Sequence, residues 1–360
     1  IVITSPFQAP LGKGKKEEII EGVKYYRTFS GNESELVSEQ KTGLVKQIIK
    51  AIRLFAFTIR VYKIAQKEKV DVLHAHAMFF CAIATRITSI LQNKPMLYEI
   101  RSLWEERYKN KSLFSNILFG CITFIETISM FISNELIAIN SSLKKELASR
   151  KLLKNKKIYI VENAVNLDRI VINPKNRLLK TFAYIGTISP IEGLDLLVEA
   201  FTNLHKAGLK NKLVFYGDGV MLNALKKLAK SNSLIEFRGR FSQIEITEVY
   251  SEVDVVINPR RKSFLTDSVT PLKPLEAMGY QKLIMASDIG GMREIIKNNK
   301  TGLLFKSDSV EEIEKAVLNV LERKDIEILV LEAFNYVKNN RSWKENGKKY
   351  KAIYKSIINE

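Results

Sequence analysis

The stretch Thr270–Phe305, TPLKPLEAMGYQKLIMASDIGGMREIIKNNKTGLLF, decides the fold of this chain. Its pattern of apolar and turn residues predicts a helix, a short strand, a glycine turn, a second helix and another strand. The apolar run at 283–287 is typical of a buried strand in a parallel sheet. Gly290 and Gly291 lack a Cβ atom, so another chain segment or a ligand can approach the backbone closely there.

The start of the first helix in this stretch carries candidate ligand-binding residues. Thr270 can cap the helix, and Pro271 fits its first position, where no N–H is needed. The amides of Leu272 and Lys273 then point forward beside an ammonium group, which favours an anion. Glu276, one turn further on, can accept hydrogen bonds from the paired hydroxyls of a ribose. These residues predict a nucleotide diphosphate site, although an ordinary, well-capped αβ unit would use the same pattern.

The composition indicates a basic, globular chain that is long enough for two domains. It has 360 residues, of which 46% are hydrophobic and 27% charged, and its formal net charge is +18. Chains of this length usually divide into two domains. So large a charge indicates an anionic partner, which could be nucleic acid, a phospholipid surface or a phosphorylated substrate. Cys81 and Cys121 lie in apolar runs, so we expect reduced core residues in a cytosolic protein.

Two helices of the first half bear on membrane contact. Residues 41–69 form one long helix, and its predicted core face recurs at helical spacing: Ile48, Ile52, Phe55, Ile59 and Tyr62. The opposite face is basic and includes Lys46, Lys50, Arg53, Arg60 and Lys67, with Phe57 and Ile64 among them. Such a face suits an anionic membrane surface, and a solvated basic surface equally well. Residues 112–132 are apolar and about long enough to span a bilayer, but polar residues interrupt them, so we expect a buried helix.

Polar side chains follow two strands of the first half. VDVLHAHAMF ends near His74 and His76, and MLYEI delivers Glu99 and Arg101. Because ligands bind at the carboxyl ends of parallel strands, we expect these four side chains to lie together. His205 has no acidic or cysteine neighbour at ligand spacing and is predicted to be a surface residue. The sequence has no HExxH, paired CxxC or DxD pattern, so no metal site is predicted.

Alternating strands and helices over residues 181–258 predict a second parallel sheet. Gly186 and Gly217 follow two of its strands, where any tight strand-to-helix turn could use a glycine. A basic run, RRK at 260–262, follows the strand VDVVINP, so it lies at the carboxyl-end edge of the sheet, as Gly186 and Gly217 do. These cations either bind a ligand or form a solvated basic loop.

The order LEAM, strand, SDIGG, Glu and TGLLF resembles the donor-binding core of glycosyltransferase family four, whose members have the two-domain GT-B fold. The resemblance implies that the second domain holds a nucleotide sugar. Glu276 matches the second Glu of the family's Glu pair, whereas Ser268 stands in the place of the first. Thr187 follows Gly186 where the family has Arg, and Glu192 stands where the family has Lys.

The resemblance implies particular roles for the candidate residues. Three cations are hypothesised to replace the missing pair on the diphosphate: Arg260, Lys262 and Lys273. The predicted donor-binding set is Gly186, Thr187, Gly217, Arg260, Lys262, Leu272, Lys273 and Glu276. In the resembled family a His after the corresponding strand faces the donor sugar; His76 is its best match, and it forms the predicted catalytic set with Glu99 and Arg101. Asn163 is predicted to lie between the domains.

The resemblance covers nearly the whole chain and implies how the chain divides. Residues 1–166 would form an acceptor-binding Rossmann-like domain whose first strand and glycine-rich loop are missing. Residues 180–337 would form the donor-binding Rossmann-like domain, and residues 338–360 a helix that crosses back to the first domain. YEIRSLWEE, together with NPRRKS and TPLKPLEAM, resembles a bacterial branch of the family found in exopolysaccharide and lipid-linked glycan pathways.

The resemblance implies retaining, metal-independent transfer of a hexose from a nucleotide sugar, expected to be UDP-linked, to a glycan or lipid-phosphate-linked acceptor. In the family the leaving phosphate helps to deprotonate the acceptor hydroxyl, so no protein carboxylate pair is needed. We expect no cofactor, no nucleic-acid partner, and a cytoplasmic protein on the inner face of the plasma membrane. Two alternatives stay open: a sugar-nucleotide epimerase of the same fold, which would need acid/base carboxylates in the cleft, and a nucleic-acid-binding protein, which would interleave basic and aromatic residues on one face.

Overall fold

A computed structural model describes residues 1–6, 16–28, 44–107, 112–171, 179–230 and 232–359. The chain forms two compact units. The first comprises residues 1–138, 147–159 and 353–360, and the second comprises residues 139–146 and 160–352. Both units contain β-strands and α-helices, so the predicted α/β class is confirmed.

The first unit begins with a small three-stranded sheet of order β1-β3-β2. Its strands are β1 Val2–Ile3, β2 Glu17–Ile20 and β3 Val23–Tyr26. β2 and β3 pair antiparallel. Glu21 and Gly22 join them with φ angles of 50° and 79°, as a two-residue hairpin turn requires.

A four-stranded sheet of order β4-β5-β6-β7 forms the centre of the first unit. Its strands are β4 Leu73–His76, β5 Met96–Ile100, β6 Glu135–Ala138 and β7 Ile158–Ile160. The helices before and between the first three are α1 Leu44–Lys67, α2 Phe79–Gln92 and α3 Leu113–Ile132. β4, β5 and β6 run parallel, and right-handed crossovers place α2 and α3 on the same face of the sheet. Because α1 packs against α2, the three helices form one layer.

The predicted faces of α1 are wrong. Phe57, Val61 and Ala65 are buried, and the first two pack against Ala84 of α2. Three residues expected in the core are exposed instead, together with a fourth: Ile52, Phe55, Ile59 and Ile49. The helix carries two apolar stripes, and periodicity alone cannot say which one faces the protein. The outer surface of α1 is therefore both basic and apolar.

Helix α3 is not the buried helix that we expected. Within the described residues, Ser115–Ile132 is the one segment long and apolar enough to cross a membrane by length and composition, and only 22% of it is buried. Several of its polar side chains face inward, whereas Asn116 is exposed. Glu126 is buried and accepts a hydrogen bond of 2.9 Å from the Tyr98 hydroxyl. Phe124 and Phe131 are exposed. Burial raises the pKa of Glu126 to about 7. Glu126 and Thr127 interrupt the apolar sequence pattern because they line the inner face of the helix.

One of the two cysteines also differs from the prediction. Both are free thiols, and Cys81 on α2 is half-buried and packs against Phe57, Val61 and Ala84, whereas Cys121 on α3 is exposed. An apolar neighbourhood in sequence therefore does not place Cys121 in the core.

The second unit is built on a six-stranded parallel sheet of order β10-β9-β8-β11-β12-β13. Its strands are β8 Thr181–Ile185, β9 Lys212–Tyr216, β10 Ile235–Gly239, β11 Val255–Asn258, β12 Leu283–Ser287 and β13 Leu303–Phe305. The remaining helices are α4 Ser141–Ser149, α5 Leu194–Lys206, α6 Leu222–Ala229, α7 Ile246–Ser251, α8 Phe264–Ser268, α9 Lys273–Gly279, α10 Gly290–Arg293, α11 Val310–Glu322, α12 Ile326–Asn340 and α13 Trp343–Asn359.

The strand order of this sheet reverses at β8. From β8 the chain runs outward through β9 and β10 on one side, and then returns to β11 and runs through β12 and β13 on the other. In open parallel sheets, ligands bind at the carboxyl ends of the strands where the order reverses. The loops that follow β8 and β11 are therefore the expected ligand-binding loops of this unit.

The element order predicted for Thr270–Phe305 is confirmed, but the first helix begins later than predicted. α9 starts at Lys273 with Leu272 as its N-cap, and no side chain caps it. The Thr270 hydroxyl instead accepts a hydrogen bond of 2.6 Å from Asn140 Nδ2. Because α9 has only seven residues, side-chain charge and not a helix dipole is what favours an anion near its start.

The close approach predicted at Gly290 and Gly291 is confirmed for a chain segment. A Cβ atom on Gly290 would lie 2.4 Å from the Asp267 carbonyl oxygen, and one on Gly291 would lie 2.3 Å from that of Val269. The Gly290 N–H also donates to Asp267 Oδ1 at 2.6 Å. These glycines therefore let the loop before α9 pack on the start of α10.

The last helix belongs to both units. The part of α13 up to Ala352 is counted in the second unit, and the part from Ile353 onward in the first.

Candidate active site

The candidate donor site of the second unit centres on Lys273. Its ammonium group lies 3.1 Å from Glu192 Oε1 and 2.5 Å from the Tyr184 hydroxyl. Arg260 Nε lies 3.7 Å from Glu192 Oε2. We call Tyr184, Glu192, Arg260 and Lys273 the Lys273 cluster.

The Lys273 cluster lies at the point where the strand order reverses. Tyr184 is on β8, Arg260 follows β11, and Glu192 ends a 3-10 turn in the loop after β8. The Lys273 stem lies over Gly186, since a Cβ atom there would be 2.4 Å from Lys273 Cε. A Cβ atom at this position would displace the lysine side chain, and the φ of 142° also favours glycine. The local sequence thus brings a cation over the end of β8.

The charges of the cluster do not balance, because two cations share one carboxylate. Arg260 is only 7% exposed. Among the described residues, its Nε and Nη1 have no hydrogen-bond partner, and neither has Glu192 Oε2. A buried guanidinium with unused donors is costly unless an anion accepts from it. The arrangement is suited to a ligand with several negatively charged oxygens, such as a diphosphate.

Burial and charge set the ionisation of the two candidate donor-binding residues of α9. Burial lowers the pKa of the Lys273 ammonium group, and the nearby Glu192 carboxylate opposes that shift. Burial raises the pKa of Glu276, and the Lys273 cation opposes that shift. Glu276 is half-buried one turn beyond Lys273, where it could accept hydrogen bonds from ribose hydroxyls.

We expect the affinity for UDP to fall as the pH rises above neutrality. The ammonium form of Lys273 attracts the diphosphate, and its lowered pKa means that this form is lost at a lower pH than in an exposed lysine. Glu192→Gln removes the charge that raises this pKa, so the fall should move to lower pH in the variant. Calorimetric titration with UDP between about pH 7 and about pH 10 measures both profiles. Superimposable profiles would count against the role given to Lys273.

Close backbone packing explains why glycine is present at two of the predicted donor-binding positions, Gly186 and Gly217. A Cβ atom on Gly217 would lie 1.9 Å from the Gly186 carbonyl oxygen, and its φ is 137°. The loops after β8 and β9 therefore pack backbone against backbone.

Thr187 is exposed, and its carbonyl accepts a hydrogen bond of 2.7 Å from the Tyr184 hydroxyl. Leu272 is exposed as the N-cap residue of α9.

Lys262 is not brought into the Lys273 cluster. Its side chain is exposed and lines an open cavity of about 640 Å³ with Asp288 and Arg293. Its backbone N–H donates to Asp308 Oδ2 at 2.9 Å. Arg261, between the two predicted cations, pairs with Asp195 and Asp308. Of the basic run 260–262, only Arg260 turns toward Glu192.

Sequence reasoning missed the residues that hold the segment before α9. Asn140 Nδ2 donates to the Ser268 carbonyl at 2.9 Å, besides its bond to Thr270. Asn163, predicted to lie between the domains, donates to the Thr270 carbonyl at 2.7 Å. Asn140 and Asn163 are both buried. Since more than a hundred residues separate each pair, no local pattern announces these contacts.

The predicted catalytic residues lie together in the first unit. His76 and Glu99 are direct partners in the register of β4 and β5, so their side chains point to the same face. His76 Nδ1 and Arg101 Nε each lie 3.7 Å from Glu99 Oε1. Glu99 is 1% exposed, whereas half of the His76 side chain is exposed. A buried carboxylate thus supports an accessible imidazole and guanidinium at the carboxyl ends of two strands.

His74 lies behind this group and has a different character. Its Nε2 lies 3.5 Å from Glu99 Oε2, and its Nδ1 lies 2.8 Å from the Tyr354 hydroxyl. Burial lowers the pKa of His74 to about 3, so the imidazole is neutral. Ala77, the residue after His76, has a φ of 70°, which is uncommon for a non-glycine residue and is found near functional sites.

His74, His76 and Glu99 are also close enough to bind a metal ion, because one ligand atom from each lies within 4.8 Å of the others. The sequence search for metal-binding spacings could not find this group, since its members come from two strands. His205, predicted to be a surface residue, is half-buried instead. Its ring nitrogens contact the Asn211 carbonyl at 2.8 Å and Asn232 Nδ2 at 2.9 Å.

Two family models match the chain. Residues 169–350 match the model described as Glycosyl transferases group 1, and residues 33–169 match the model described as Glycosyltransferase Family 4. The first match alone covers more than half of the chain. The chain therefore belongs to this family of glycosyltransferases, which are enzymes.

Two relatives illustrate the range of similarity in sequence. An uncharacterized glycosyltransferase of Methanocaldococcus jannaschii is 26% identical over 269 residues, which cover 71% of this chain and 65% of that relative. The UDP-Gal:alpha-D-GlcNAc-diphosphoundecaprenol alpha-1,3-galactosyltransferase of Escherichia coli is 23% identical over 321 residues, which cover 83% of this chain and 79% of that relative. This chain thus spans just under two thirds of the first relative's length.

Solved structures share the fold. Sucrose-phosphate synthase from Thermosynechococcus elongatus matches with a TM-score of 0.75 at 14% identity, over 99% of this chain and 88% of that one. The HepE protein of Anabaena, solved in complex with UDP, matches with a TM-score of 0.67 at 12% identity, over 84% and 82%. The predicted GT-B fold, with two Rossmann-like domains, is confirmed.

Proposed function

We propose that this protein is a retaining glycosyltransferase that moves a hexose from a UDP-sugar to a glycan or lipid-phosphate-linked acceptor. The observation that supports it most is the Lys273 cluster, where a buried arginine with unused donors and a lysine flank one carboxylate. The cluster lies at the strand ends where a ligand is expected in such a sheet. The galactosyltransferase relative, whose name specifies UDP-Gal and a diphosphoundecaprenol-linked acceptor, and the UDP complex of HepE support the donor and acceptor classes.

In the proposed reaction the bond between the anomeric carbon and the diphosphate breaks, and its electron pair goes to the diphosphate oxygen. Lys273 and Arg260 stabilise that developing charge. The acceptor oxygen bonds to the anomeric carbon on the face that the diphosphate leaves, and the acceptor proton passes to the leaving phosphate. Glu276 accepts hydrogen bonds from the ribose hydroxyls of the donor. Within the first unit, Glu99 and Arg101 lie beside the exposed imidazole of His76, which the family resemblance assigns to the donor sugar.

We further propose that the protein works in the cytoplasm, on the inner face of the plasma membrane. An acceptor of the lipid-phosphate class lies in a membrane, and α1 offers basic and exposed apolar side chains on one outer surface. This combination suits an anionic bilayer surface. Exopolysaccharide or other cell-envelope synthesis is the process that such an acceptor would serve.

The test is release of nucleotide from a panel of UDP- and GDP-linked sugars, with and without a lipid-phosphate acceptor. We expect one UDP-sugar to be consumed faster when the acceptor is present, and a product whose anomeric configuration matches that of the donor. Conversion of the sugar nucleotide into an isomer in the absence of any acceptor would favour an epimerase and contradict the proposal.

Transfer is expected to survive removal of divalent metals, because side-chain cations take the place of a metal ion at the diphosphate. Activity after dialysis against a chelator should stay within about twofold of the untreated enzyme, since no step of the reaction is assigned to a metal ion. Elemental analysis of the same samples provides the control. If the chelated protein lost both a bound metal and its activity, His74, His76 and Glu99 would become the candidate ligands.

A further inference from the structure

The helix layer of the first unit presents an outer surface that is unusual for a soluble protein. α1, α2 and α3 all expose large apolar side chains: Ile49, Ile52, Phe55, Ile59, Ile83, Ile87, Ile90, Leu91, Ile117, Phe124, Ile125 and Phe131. Single exposed apolar residues are ordinary, whereas many of them on adjacent helices mark an interaction surface. Something apolar is expected to cover this layer.

The charge of the same layer indicates what that partner is. The three helices contain one acidic residue, Glu126, which is buried, against seven lysines and arginines. A surface that combines exposed apolar side chains with cations, and exposes no acidic side chain of these helices, matches the boundary of a bilayer that contains anionic lipids. A protein partner would have to combine apolar area with an acidic rim to match it equally well.

A cavity at the edge of this layer brings Arg86 of α2 together with Lys156, which lies in the loop before β7. It has a volume of about 560 Å³, and its lining comes from α2, the end of α3 and two loops: Arg86, Ile90, Phe131, Ile132, Ser133, Asn134 and Lys156. No carboxylate is among these lining residues. Ile90 and Phe131 are exposed at its margin. The cavity therefore joins a positively charged interior to an apolar rim.

The polar contacts inside the cavity orient both cations, and among the described residues neither cation hydrogen-bonds to a carboxylate, although the Glu135 carboxylate opposes the lowered pKa of Lys156. Arg86 Nη1 lies 3.4 Å from both Ser89 Oγ and Asn134 Oδ1. The Lys156 ammonium group donates to the backbone carbonyls of Ser133 and Asn134. Burial, and then the nearby Arg86 cation, lower the pKa of Lys156. Glu135, the nearby carboxylate, is paired at 2.6 Å with Lys157.

We infer that this cavity binds the phosphate group of an anionic phospholipid, while the exposed apolar residues of α1–α3 lie among the acyl chains next to it. Arg86 and Lys156 donate to the phosphate oxygens, and Ile90 and Phe131 contact the first methylene groups. The inference rests on the proposed membrane location, but it names a lipid site distinct from the acceptor site. The cavity adjoins the amino-terminal ends of β6 and β7, whereas His76 and Glu99 lie at the carboxyl ends of β4 and β5.

The experiment is co-sedimentation of the full chain with vesicles of phosphatidylcholine, alone or mixed with phosphatidylglycerol. Wild-type protein should bind the mixed vesicles. The double variant Arg86→Gln/Lys156→Gln should bind at least about tenfold more weakly than the matched control Lys50→Gln/Lys63→Gln, which removes the same charge from α1. Equal losses in the two double variants would show general electrostatic attraction only and overturn the inference.

A pair of apolar variants tests the rim of the cavity. Ile90 is 64% exposed and Ile328, on α12 of the second unit, is 65% exposed. Ile90→Ser should weaken vesicle binding severalfold, whereas Ile328→Ser should not change it. Equal effects of the two substitutions would contradict the proposed orientation.

Inorganic phosphate separates a lipid site from a site for free anions. Phosphate, unlike chloride at equal ionic strength, should compete with mixed vesicles for the wild-type protein. If phosphate protects Lys156 from acylation but the Arg86→Gln/Lys156→Gln variant still binds vesicles like wild type, the cavity is an anion site without a lipid role. UDP binding by each variant should be unchanged. A failure of the proposed lipid site can therefore be distinguished from a failure of the proposed transferase function.

Discussion

Lys273→Met is expected to lower kcat/KM for the sugar donor by about 100-fold or more, the scale of losing one preorganised charge at a leaving group. Methionine keeps a hydrocarbon stem over Gly186, so the substitution removes the charge with little change in packing. The loss should appear in both UDP affinity and turnover, because the proposed reaction places the ammonium group on the diphosphate before and during bond cleavage. Calorimetric titration with UDP and steady-state kinetics measure the two parts separately.

Lys262→Met is the matched control for this substitution. The substitution removes the same charge from a neighbouring loop. The Lys262 side chain is not part of the Lys273 cluster, because it lines the cavity that contains Asp288 and Arg293. Its kinetics should remain within about threefold of wild type, as expected for an exposed charge. A large loss in Lys262→Met together with normal activity in Lys273→Met would reverse our assignment of the diphosphate site.

His76→Ala is expected to lower kcat by about 100-fold while UDP affinity stays unchanged. The imidazole is assigned to the sugar, whereas UDP has no sugar beyond the ribose. The Lys273 cluster is made entirely by residues of the second unit. Steady-state kinetics with the preferred UDP-sugar, and calorimetry with UDP, check the two halves of this prediction.

His205→Ala serves as the control for His76→Ala. His205 bridges Asn211 and Asn232 within the second unit, so its loss should lower the midpoint of thermal unfolding and leave kcat within about twofold of wild type. A His76 variant that loses UDP affinity in proportion to kcat would indicate a structural role for that residue. Circular dichroism confirms folding in each case.

The positions of most elements could be predicted from the sequence because the strands are continuous apolar runs between turn residues. LIMAS, VDVVIN and TFAYIG each form a strand of the six-stranded sheet. The meeting of His76 with Glu99 was also predictable, since it requires only that adjacent parallel strands end together. Both inferences depend on local pattern and sheet geometry alone.

The faces of α1 and α3 could not be predicted for a physical reason. The usual rule assumes that the more apolar stripe faces the core, and here large apolar side chains point outward. On α3 the buried stripe contains Glu126, whose carboxyl group accepts a hydrogen bond from Tyr98. Apolar side chains on the outer face and a buried carboxyl group on the inner face are expected if the outer face of these helices contacts a lipid surface.

The sequence also could not predict that Arg260 and Lys262 form different contacts. Two positions apart after one strand, they form different contacts because Asp308 holds the Lys262 backbone while Glu192 lies near the Arg260 guanidinium. In the sequence, Glu192 stands only as a replacement for the lysine of the resembled family. Its partnership with Lys273 depends on the fold, since 81 residues separate them in the chain.

The most direct test of the central claim is a crystal structure of the protein with UDP. We expect diphosphate oxygens within hydrogen-bonding distance of Lys273 Nζ and the Arg260 guanidinium, and ribose hydroxyls on Glu276. UDP bound away from the ends of β8 and β11, with the Arg260 donors still unused, would contradict the assignment of the donor site.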